Sequence, residues 1–348
     1  MNSPGRAVVV HAPHHLELET RPTPDVGASQ VLIRVHTGGI CGSDLHYYHN
    51  GGFGAVRIKA PMVLGHELSG TVVEIGANVT TVAPDQRVAV NPSLPCGQCE
   101  QCKRGQRNHC TNMRFYGSAM RWPHVDGGFR DHLVCEAEQA IQIADNVSFG
   151  EAALAEPLAV CLHAVRQAGE LLGKRVLITG AGPIGAVTVA AARLAGAADI
   201  TITDVMAAPL EMAARLGADR TLDVGANGDA IGEEAARGGK FDVHFEAAGS
   251  APALASALPE LRPKGICVLI GQGAEISLQV SSLIGREIEM RGTFRFDREF
   301  QLAVDYLGKG LLSVKQVITA TLPVDRAVEA FDLASDKQVS SKVQLDFA

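Results

Sequence analysis

The chain has 348 residues, of which 46% are hydrophobic and 20% are charged. This length exceeds one ordinary hydrophobic core and predicts two domains, and the composition is that of a globular protein. The net charge of −7 argues against nucleic acid as a partner, because a nucleic-acid interface needs a concentrated basic face.

The N-terminal segment MNSPGRAVVVHAPHH lacks the charged start, long apolar stretch and cleavage site of a secretory signal. No apolar run reaches the roughly 18 residues that a membrane-spanning helix needs. We therefore expect a cytoplasmic protein without a membrane partner.

The first part of the chain, to about residue 150, contains short strand-like runs broken by glycine and proline. This texture predicts an antiparallel, barrel-like domain with long loops. The runs are RAVVV, QVLIRVHTG, LSGTVVEIG, QRVAVNP and FRDHLVC.

Within this part, dispersed groups offer metal ligands. Cys41 lies in GGICGSDLH, His66 and Glu67 are adjacent, and Glu156 follows in AEPLAV. A catalytic zinc needs few protein ligands and one open position, which thiolate, imidazole and carboxylate can provide. Spacing alone does not unite them, since Cys41 could belong to the core, His66 could cap a turn and Glu156 could charge a helix start.

Four of the eight cysteines lie within fifteen residues. Their spacing, Cys96-x2-Cys99-x2-Cys102-x7-Cys110, indicates a metal site more readily than disulfides in a cytosolic protein. Four thiolates in one loop are typical of a closed structural zinc site, and the alternatives are an iron–sulfur cluster, which the spacing allows, and a buried group of cysteines without a metal. Three other cysteines lie in apolar stretches and are predicted to be core residues: Cys135, Cys161 and Cys267.

Near residue 148 the pattern changes to an alternation of helices and strands. SFGEAALAEPLAVCLHAVRQAG predicts a helix capped by Ser148, with Glu151 three residues on. The strands RVLITG, DITITD, TLD, FDVHFEAAG and GICVLIG then alternate with helices, which predicts a parallel sheet built from βαβ units. The last stretch predicts helices at 299–309 and 325–334 and strands at 316–321 and KVQLDF.

A glycine-rich turn follows the strand RVLIT directly and opens a helix. Gly180, Gly182 and Gly185 have the spacing of a dinucleotide-binding turn, in which the helix N-terminus receives the pyrophosphate. Asp204 ends the next strand, where a carboxylate accepts hydrogen bonds from the adenosine ribose and repels a 2′-phosphate. No Arg or Lys follows before Arg215, which favours NAD over NADP. The alternative is a glycine-rich turn that binds nothing.

With these residues in view, the whole chain resembles the zinc-containing medium-chain dehydrogenases, and within them the polyol branch that includes sorbitol dehydrogenases. The matching stretches are GGICGSDLHYY, APMVLGHE, the four-cysteine segment, NHCTNMRFYGSAMRWPHVDGGF, AEPLAV and GTFRF. The resemblance implies an α/β fold: a GroES-like, β-rich catalytic domain and a Rossmann domain with a doubly wound parallel sheet. It places the catalytic domain at 1–152, with a structural zinc lobe at about 91–114 and completion by 293–348, and the NAD-binding domain at 153–292.

The resemblance also implies roles for residues. Cys41, His66 and Glu67 would ligate a catalytic zinc, with Glu156 a direct ligand or one acting through water, and the four clustered cysteines would hold a structural zinc. Ser43 and His46 would relay the proton. Substrate contacts would come from Tyr47, Glu156 and Arg295. The implied NAD contacts are Gly180, Gly182, Pro183, Ile184, Gly185, Asp204, Ala247, Ile270, Thr293 and Arg295.

The activity implied is oxidation of a secondary hydroxyl of a sugar acid or polyol, foremost L-idonate at carbon 5, by a homotetramer or homodimer. Sorbitol, xylitol and L-threonine are alternative substrates, and a catalytically silent zinc and nucleotide binder is the remote alternative. Sorbitol dehydrogenases have Tyr where this chain has Phe296, which predicts one hydroxyl fewer in the substrate pocket. The residues do not assign the partner of a substrate carboxylate; Lys59, Arg114 and Arg121 lie in loops that could line the mouth.

Overall fold

The structure is a computed structural model, and it describes residues 4–273 and 275–348. The strands of the N-terminal part are β1 (Gly5–Ala12), β2 (His15–Arg21), β3 (Gln30–Gly39), β4 (Gly52–Phe53), β5 (Val56–Arg57), β6 (Met62–Val63), β7 (Glu67–Ile75), β8 (Arg87–Val90), β9 (Ser93–Leu94), β10 (Arg114–Phe115), β11 (His132–Glu136) and β12 (Ala140–Gln142). Two helices lie among them, α1 (Gly42–Asn50) and α2 (Glu100–Lys103).

The middle of the chain alternates helices and strands. The elements are α3 (Phe149–Ala153), α4 (Ala155–Ala168), β13 (Arg175–Thr179), α5 (Pro183–Leu194), β14 (Asp199–Asp204), α6 (Ala207–Arg215), β15 (Arg220–Asp223), α7 (Ala230–Gly238), β16 (Phe241–Glu246), α8 (Ala251–Ala257), β17 (Leu261–Leu269), α9 (Val280–Ile284) and β18 (Glu289–Gly292). The C-terminal elements are α10 (Glu299–Gly308), β19 (Ile318–Pro323), α11 (Ala327–Ser335) and β20 (Lys342–Asp346).

A largely antiparallel sheet forms the catalytic domain, as predicted. Its strands follow the order β12-β8-β7-β3-β20-β19, and β11 also pairs with β3. The last strand of the chain, β20, lies antiparallel to β3, with Gln344 opposite Gly39. The C-terminal segment therefore completes the sheet begun near the N-terminus, and it returns the chain to the end of β3.

The second sheet is parallel and has the order β15-β14-β13-β16-β17-β18. Its central strands are buried on both faces, since Val176, Leu177 and Ile178 are fully inaccessible. Such strands read as continuous apolar runs because helices cover both faces of the sheet. The sheet runs from Arg175 to Gly292. The predicted domain limits at 152 and 293 stay predictions.

One predicted helix is divided in two. Ser148 caps α3 as expected, with Oγ accepting the backbone N–H of Glu151 at 3.2 Å. The helix then ends at Leu154, and α4 begins at Ala155. Pro157 explains the break, because it has no N–H to donate to the carbonyl of Ala153 and is tolerated only in the first turn of a helix.

The core extends across both domains. Side chains of α3, α4 and α5 pack in one apolar cluster with Ala89 and Phe115 of the catalytic domain and with Phe296 and Phe300 near α10. Cys135, Cys161 and Cys267 are buried, as predicted. In the parts of the chain that the structure describes, we find no helix with the length and apolarity required to cross a bilayer.

Candidate active site and metal centres

The catalytic group forms where β3 ends beside the start of β7. Gly39 pairs with Glu67 across the two strands, and Cys41 follows as the N-cap residue of α1. A Cβ at Gly39 would lie 2.1 Å from Glu67 Oε2. Only glycine therefore leaves room for the carboxylate at this position.

Three predicted ligands converge at this point. One ligand atom from each of Cys41, His66 and Glu67 lies within 4.8 Å of the other two. The exposed fractions of His66 and Glu67 are 4% and 0%. Bulk water therefore cannot take the place of a missing hydrogen-bond partner or metal ion. Glu156 is not part of this close group, although it lies near enough to interact electrostatically with all three.

The donor set fits zinc. Glu67 Oε2 is buried without a hydrogen-bond partner among the described residues, and buried polar groups normally have one. His66 Nδ1 lies 3.7 Å from Asp44 Oδ1, an arrangement that leaves Nε2 for a metal. Burial raises the pKa of the Cys41 thiol to about 11, so its thiolate form requires a cation beside it.

Asp44 is a buried residue that the sequence did not identify as part of the site. Its carboxylate accepts the backbone N–H of Cys41 at 3.0 Å and that of Gly65 at 3.3 Å. It thereby fixes the segments that carry two ligands, Cys41 and His66. A carboxylate behind a ligating imidazole is a common means of orienting the ring.

Lys342 is a second residue that sequence reasoning missed. It opens β20, is 3% exposed, and donates to Glu67 Oε1 at 2.6 Å and to the carbonyl of Ile40 at 3.1 Å. Glu67 therefore offers one oxygen to an ammonium group and keeps the other free. The signal was absent from the sequence because 275 residues separate the two side chains.

Glu156 and Arg295 lie near enough to each other to interact electrostatically, and Glu156 also interacts with the ligand group. Glu156 is 5% exposed, and desolvation raises its pKa to about 8 although His66 acts in the opposite direction. The guanidinium carbon of Arg295 lies 4.0 Å from the ring centroid of Phe115. Burial lowers the pKa of Arg295 to about 10, against the attraction of Glu156.

Phe115, which was not predicted as a site residue, links these parts. Its ring lies 5.5 Å from that of His66 and directly below Arg295. The hydrogen bond found for the Arg295 side chain goes to Met120 Sδ, at 3.1 Å. Most of the guanidinium donors are therefore available to another ligand.

Helix α1 carries the three remaining predicted residues. Ser43 is partly accessible and His46 is exposed, and their spacing of three places them on one face of the helix. Tyr47 is buried at 1% exposure, and its hydroxyl accepts the backbone N–H of Ala119 at 2.9 Å. The helix thus extends from the buried ligands to the surface.

The four clustered cysteines converge in a lobe around α2, which Cys99 caps. Their sulfur atoms all lie within 4.8 Å of one another. Cys99 Sγ is 3.9 Å from Cys110 Sγ, close to the roughly 3.8 Å edge of a tetrahedron with zinc–sulfur bonds of about 2.3 Å. Backbone N–H groups of Cys102 and Thr111 lower the pKa of Cys99 to about 5, which favours the thiolate that zinc requires.

The predicted cofactor residues meet at one edge of the parallel sheet. They directly follow or end its strands, so they share the carboxyl edge, where open α/β sheets bind ligands. In this sheet β13 lies between β14 and β16 and pairs with both. The residues at this edge are Gly180, Asp204, Ala247, Ile270 and Thr293.

The three glycines of the turn have distinct surroundings. Gly180 has φ +87°, which favours glycine, and a Cβ there would lie 2.7 Å from the backbone of Ala248. A Cβ at Gly185 would lie 1.8 Å from the carbonyl of Gly180. Nothing lies within 4 Å of a Cβ at Gly182, so this position faces open space, as a pyrophosphate site requires. Pro183 begins α5, followed by Ile184.

Asp204 is held at the end of β14. Its Oδ2 accepts the backbone N–H of Ala181 at 2.7 Å, and Oδ1 accepts that of Val205 at 2.7 Å. The carboxylate is therefore fixed beside the glycine turn, with further lone pairs available. Val205 is 65% exposed and leaves room for a larger side chain.

The expectation for Phe296 is wrong. Its ring is 1% exposed and lies 5.7 Å from that of Phe300 in the apolar core. The adjacent Arg295 has φ +53°, and the chain turns so that the two side chains lie apart. Phenylalanine here changes the core rather than removing a hydroxyl from the substrate pocket.

Known proteins share both the sequence and the architecture. Residues 27–145 match the alcohol dehydrogenase GroES-like domain, and residues 183–309 match the zinc-binding dehydrogenase domain. The chain is 42% identical over 329 residues to the L-idonate 5-dehydrogenase (NAD(P)(+)) of Escherichia coli, covering 94% of this chain and 95% of the relative. It is 38% identical over 332 residues to the sorbitol dehydrogenase of Gallus gallus, covering 94% and 92%.

A solved structure agrees with these relatives. The crystal structure of L-idonate 5-dehydrogenase from Escherichia coli superposes with a TM-score of 0.94 at 40% identity, covering 99% of each chain. The superposition therefore covers both sheets of this chain and the segments that carry the candidate ligands. The chain therefore belongs to the zinc-dependent alcohol and polyol dehydrogenases, with a GroES-like domain and a Rossmann domain.

Proposed function

We propose that this enzyme oxidises the C5 hydroxyl of L-idonate to the 5-keto acid with NAD. The observation that carries the proposal is the 42% identity to an L-idonate 5-dehydrogenase over 94% of the chain. The convergence of Cys41, His66 and Glu67 within 4.8 Å supports it, because these are the residues that the resemblance assigns to a catalytic zinc. A general polyol dehydrogenase is the second candidate, because sorbitol dehydrogenases are 38% identical.

Two zinc ions per chain belong to this proposal. Cys41, His66 and Glu67 would hold the catalytic zinc, and the four cysteines of the lobe would hold the structural zinc. When bound, the catalytic ion supplies the Lewis acidity that makes a secondary hydroxyl acidic near neutral pH. Glu156, outside the three-residue group, would contact a water or a substrate hydroxyl.

The proton of that hydroxyl needs a path to solvent, and α1 supplies one. Ser43 lies two residues beyond Cys41, and its hydroxyl would accept this proton while passing its own toward the surface. His46, one turn along the helix and exposed, would release it, because imidazole readily exchanges protons near neutral pH. Loss of the proton and transfer of a hydride to NAD together leave the ketone.

The site also supports an acidic substrate. Arg295 is a cation with donors available, held over Phe115 and Phe294 at 4.0 and 5.0 Å. Arg121 directly follows Met120, which contacts Arg295; its guanidinium donates to the carbonyl of Asn112 at 3.3 Å, and its remaining donors would supply a second cation for the carboxylate. A carboxylate paired with a cation gains about 1.5–3 kcal/mol over a neutral hydroxyl, roughly ten- to a hundredfold in affinity.

The test is NAD reduction with L-idonate, sorbitol, xylitol and L-threonine under the same conditions. We expect kcat/KM for L-idonate to exceed that for sorbitol at least tenfold. Equal values, or a preference for sorbitol, would support the general polyol dehydrogenase. A preference for L-threonine would contradict both, and no turnover with any substrate would favour a catalytically silent protein.

NAD as the preferred coenzyme, a cytoplasmic location and a homotetrameric or homodimeric state complete the proposal. The carboxylate of Asp204 supports NAD, although the bacterial relative carries the name of an NAD(P)-dependent enzyme. Light scattering coupled to gel filtration would test the assembly, and a monomer would contradict it.

A further inference from the structure

The N-terminal hairpin carries a group of metal-ligating side chains that is separate from the group of Cys41, His66 and Glu67. One ligand atom from each of His11, Glu17 and Glu19 lies within 4.8 Å of the other two. His15 joins them, since its Nε2 lies 2.7 Å from Glu17 Oε1. We propose that these four residues bind one divalent transition-metal ion, such as Zn²⁺, in addition to the two zincs of the proposed function.

The register of the hairpin brings the four side chains together. On β2, His15, Glu17 and Glu19 alternate with other residues and so project from one face. Glu17 lies opposite Val9 on β1. The register shifts between Val10 and Ala12, and this bulge directs His11 toward the same face, as bulges commonly do for a single side chain.

The four side chains form two neighbouring imidazole–carboxylate pairs. His11 Nε2 lies 2.5 Å from Glu19 Oε1, and the two imidazole rings stack with centroids 4.8 Å apart and an interplanar angle of 27°. Each Nε2 thus faces a carboxylate oxygen. Small side-chain rotations would exchange these two contacts for bonds to one ion placed between them.

The charges favour a dication. Two carboxylates lie beside two imidazoles, and the described cation in contact with them is Arg21, which binds the outer oxygen of Glu19 at 2.8 Å. Glu19 Oε1 remains directed at His11. With neutral imidazoles the group carries a net negative charge, and two nitrogen and two oxygen donors suit Zn²⁺, Ni²⁺ or Cu²⁺.

One half of the site is partly shielded and the other half faces water. The side chains of His11 and Glu19 are 26% and 25% exposed and those of His15 and Glu17 are each 53% exposed, while Val9 on the same face of the hairpin is fully buried. The ligands therefore stand on a fixed β-hairpin rather than on a loop. The strand β6 pairs with β1 through Val63 and Val9, so an ion here would also stabilise the strand that leads to His66.

Zinc is the probe, because excess zinc cannot change the metal content of two sites already filled with zinc. Untagged, fully loaded enzyme is dialysed against free Zn²⁺ across the micromolar range, and total zinc per chain is measured by mass spectrometry. We expect a third equivalent, accompanied by a rise in Tm and no change in kcat. Glu17→Gln and His11→Ala should each weaken this binding at least about tenfold.

His14→Asn is the matched control. His14 belongs to the same turn, but its ring lies against Tyr48 and His49 instead, 5.4 and 5.1 Å away, and asparagine tolerates its φ of +58°. This variant should bind the third zinc normally. Saturation of the parent at two zincs per chain would overturn the proposal. Unchanged binding of the third zinc in both Glu17→Gln and His11→Ala would also overturn it, and so would loss of the third zinc in His14→Asn.

Discussion

At the scale of single residues, the catalytic centre depends on a balance of buried charge. Cys41, Glu67 and Glu156 can each carry a negative charge in a site closed to water. Lys342 is the buried cation beside them, and its pKa is raised by Glu67 and Cys41 despite desolvation. A dication together with this ammonium would offset most of the negative charge of these groups and of the buried Asp44 carboxylate, which gives the buried lysine a role in the charge balance of the site.

Lys342→Met tests this balance. The variant leaves Glu67 Oε1 buried without its partner, and breaking a buried pair in this way costs about 3–5 kcal/mol. We expect a lower Tm and a fall in kcat of at least about tenfold, since a carboxylate with no ammonium changes the charge of the centre. Thermal unfolding and steady-state kinetics measure the two effects. As a control, Lys309→Met replaces an exposed lysine and should change neither Tm nor kcat. A fully active Lys342→Met enzyme would show that the pair of Lys342 and Glu67 is not needed for catalysis.

Coenzyme choice is also decided by single side chains. Replacing Asp204 by Ser and Val205 by Arg removes the repulsion of a 2′-phosphate and supplies a cation for it. We expect the ratio of kcat/KM for NAD to that for NADP to fall at least about tenfold. Asp223→Ser, at the end of the neighbouring strand, should leave the ratio unchanged. A wild-type enzyme that prefers NADP would overturn the argument from Asp204.

At the scale of elements, the glycines of the turn after β13 have two different roles, close packing of the backbone at Gly185 and access for the cofactor at Gly182. Gly185→Ala would place a methyl group 1.8 Å from the Gly180 carbonyl, where backbone must shift. Gly182→Ala meets no atom within 4 Å. We expect Gly185→Ala to lower Tm, and Gly182→Ala to keep the Tm of the parent while raising KM for NAD several-fold. Calorimetry measures Tm and steady-state kinetics measures KM for NAD in both variants. Equal KM values for NAD in Gly182→Ala and the parent would mean that the cofactor does not bind at this turn.

The contact between α4 and α10 depends on one carboxylate. Glu299 is 2% exposed and lies 2.9 Å from Arg166 Nη1 and 3.2 Å from His163 Nδ1. Burial alone would raise its pKa, but His163, the backbone N–H of Asp297 and Arg166 lower the pKa to about 2.

Because the folded pKa lies below the ordinary value of 4.5, Glu299 contributes stability above about pH 5, and this contribution disappears as pH falls toward 2. Glu299→Gln should therefore lower Tm at pH 7, which corresponds to a loss of about 1–3 kcal/mol in the free energy of unfolding. The difference in Tm between the variant and the parent should narrow as pH falls. Metal loss in acid affects both proteins and cancels in the difference. As a control, Glu329→Gln removes a carboxylate from the exposed pair with Arg326 and should change Tm little at any pH. A difference in Tm between Glu299→Gln and the parent that stays constant with pH would contradict the prediction.

At the scale of the whole molecule, the two proposed zincs have separate consequences. The lobe of four cysteines lies outside the ligand group of Cys41, His66 and Glu67, so each ion can be removed without the other. His66 is the better residue to change, because Glu67 also pairs with Lys342.

We expect two zincs per chain after dialysis against metal-free buffer. Cys99→Ser should retain one, with a lower Tm, because a structural zinc contributes directly to folding. His66→Asn should also retain one, with turnover lost and Tm changed much less. Elemental analysis with calorimetry measures both, and a parent protein with one zinc or none would count against the assignment.

The sequence alone determined the parts of this protein that depend on local spacing. Four cysteines within fifteen residues, and three glycines between a strand and a helix, need only neighbouring residues to form their geometry. The apolar runs between helices predicted the parallel sheet because a strand buried on both faces has no polar alternation. The break at Leu154 was missed because helical periodicity continues through Pro157.

Tertiary structure decided what depends on distant residues. Cys41, His66 and Glu67 became a group only through the pairing of β3 with β7, and Lys342 reached Glu67 only because β20 pairs with β3. The burial of Phe296 likewise followed from a backbone turn at Arg295. No local pattern encodes such contacts, because side chains far apart in sequence meet wherever sheet register and the packing of the core place them.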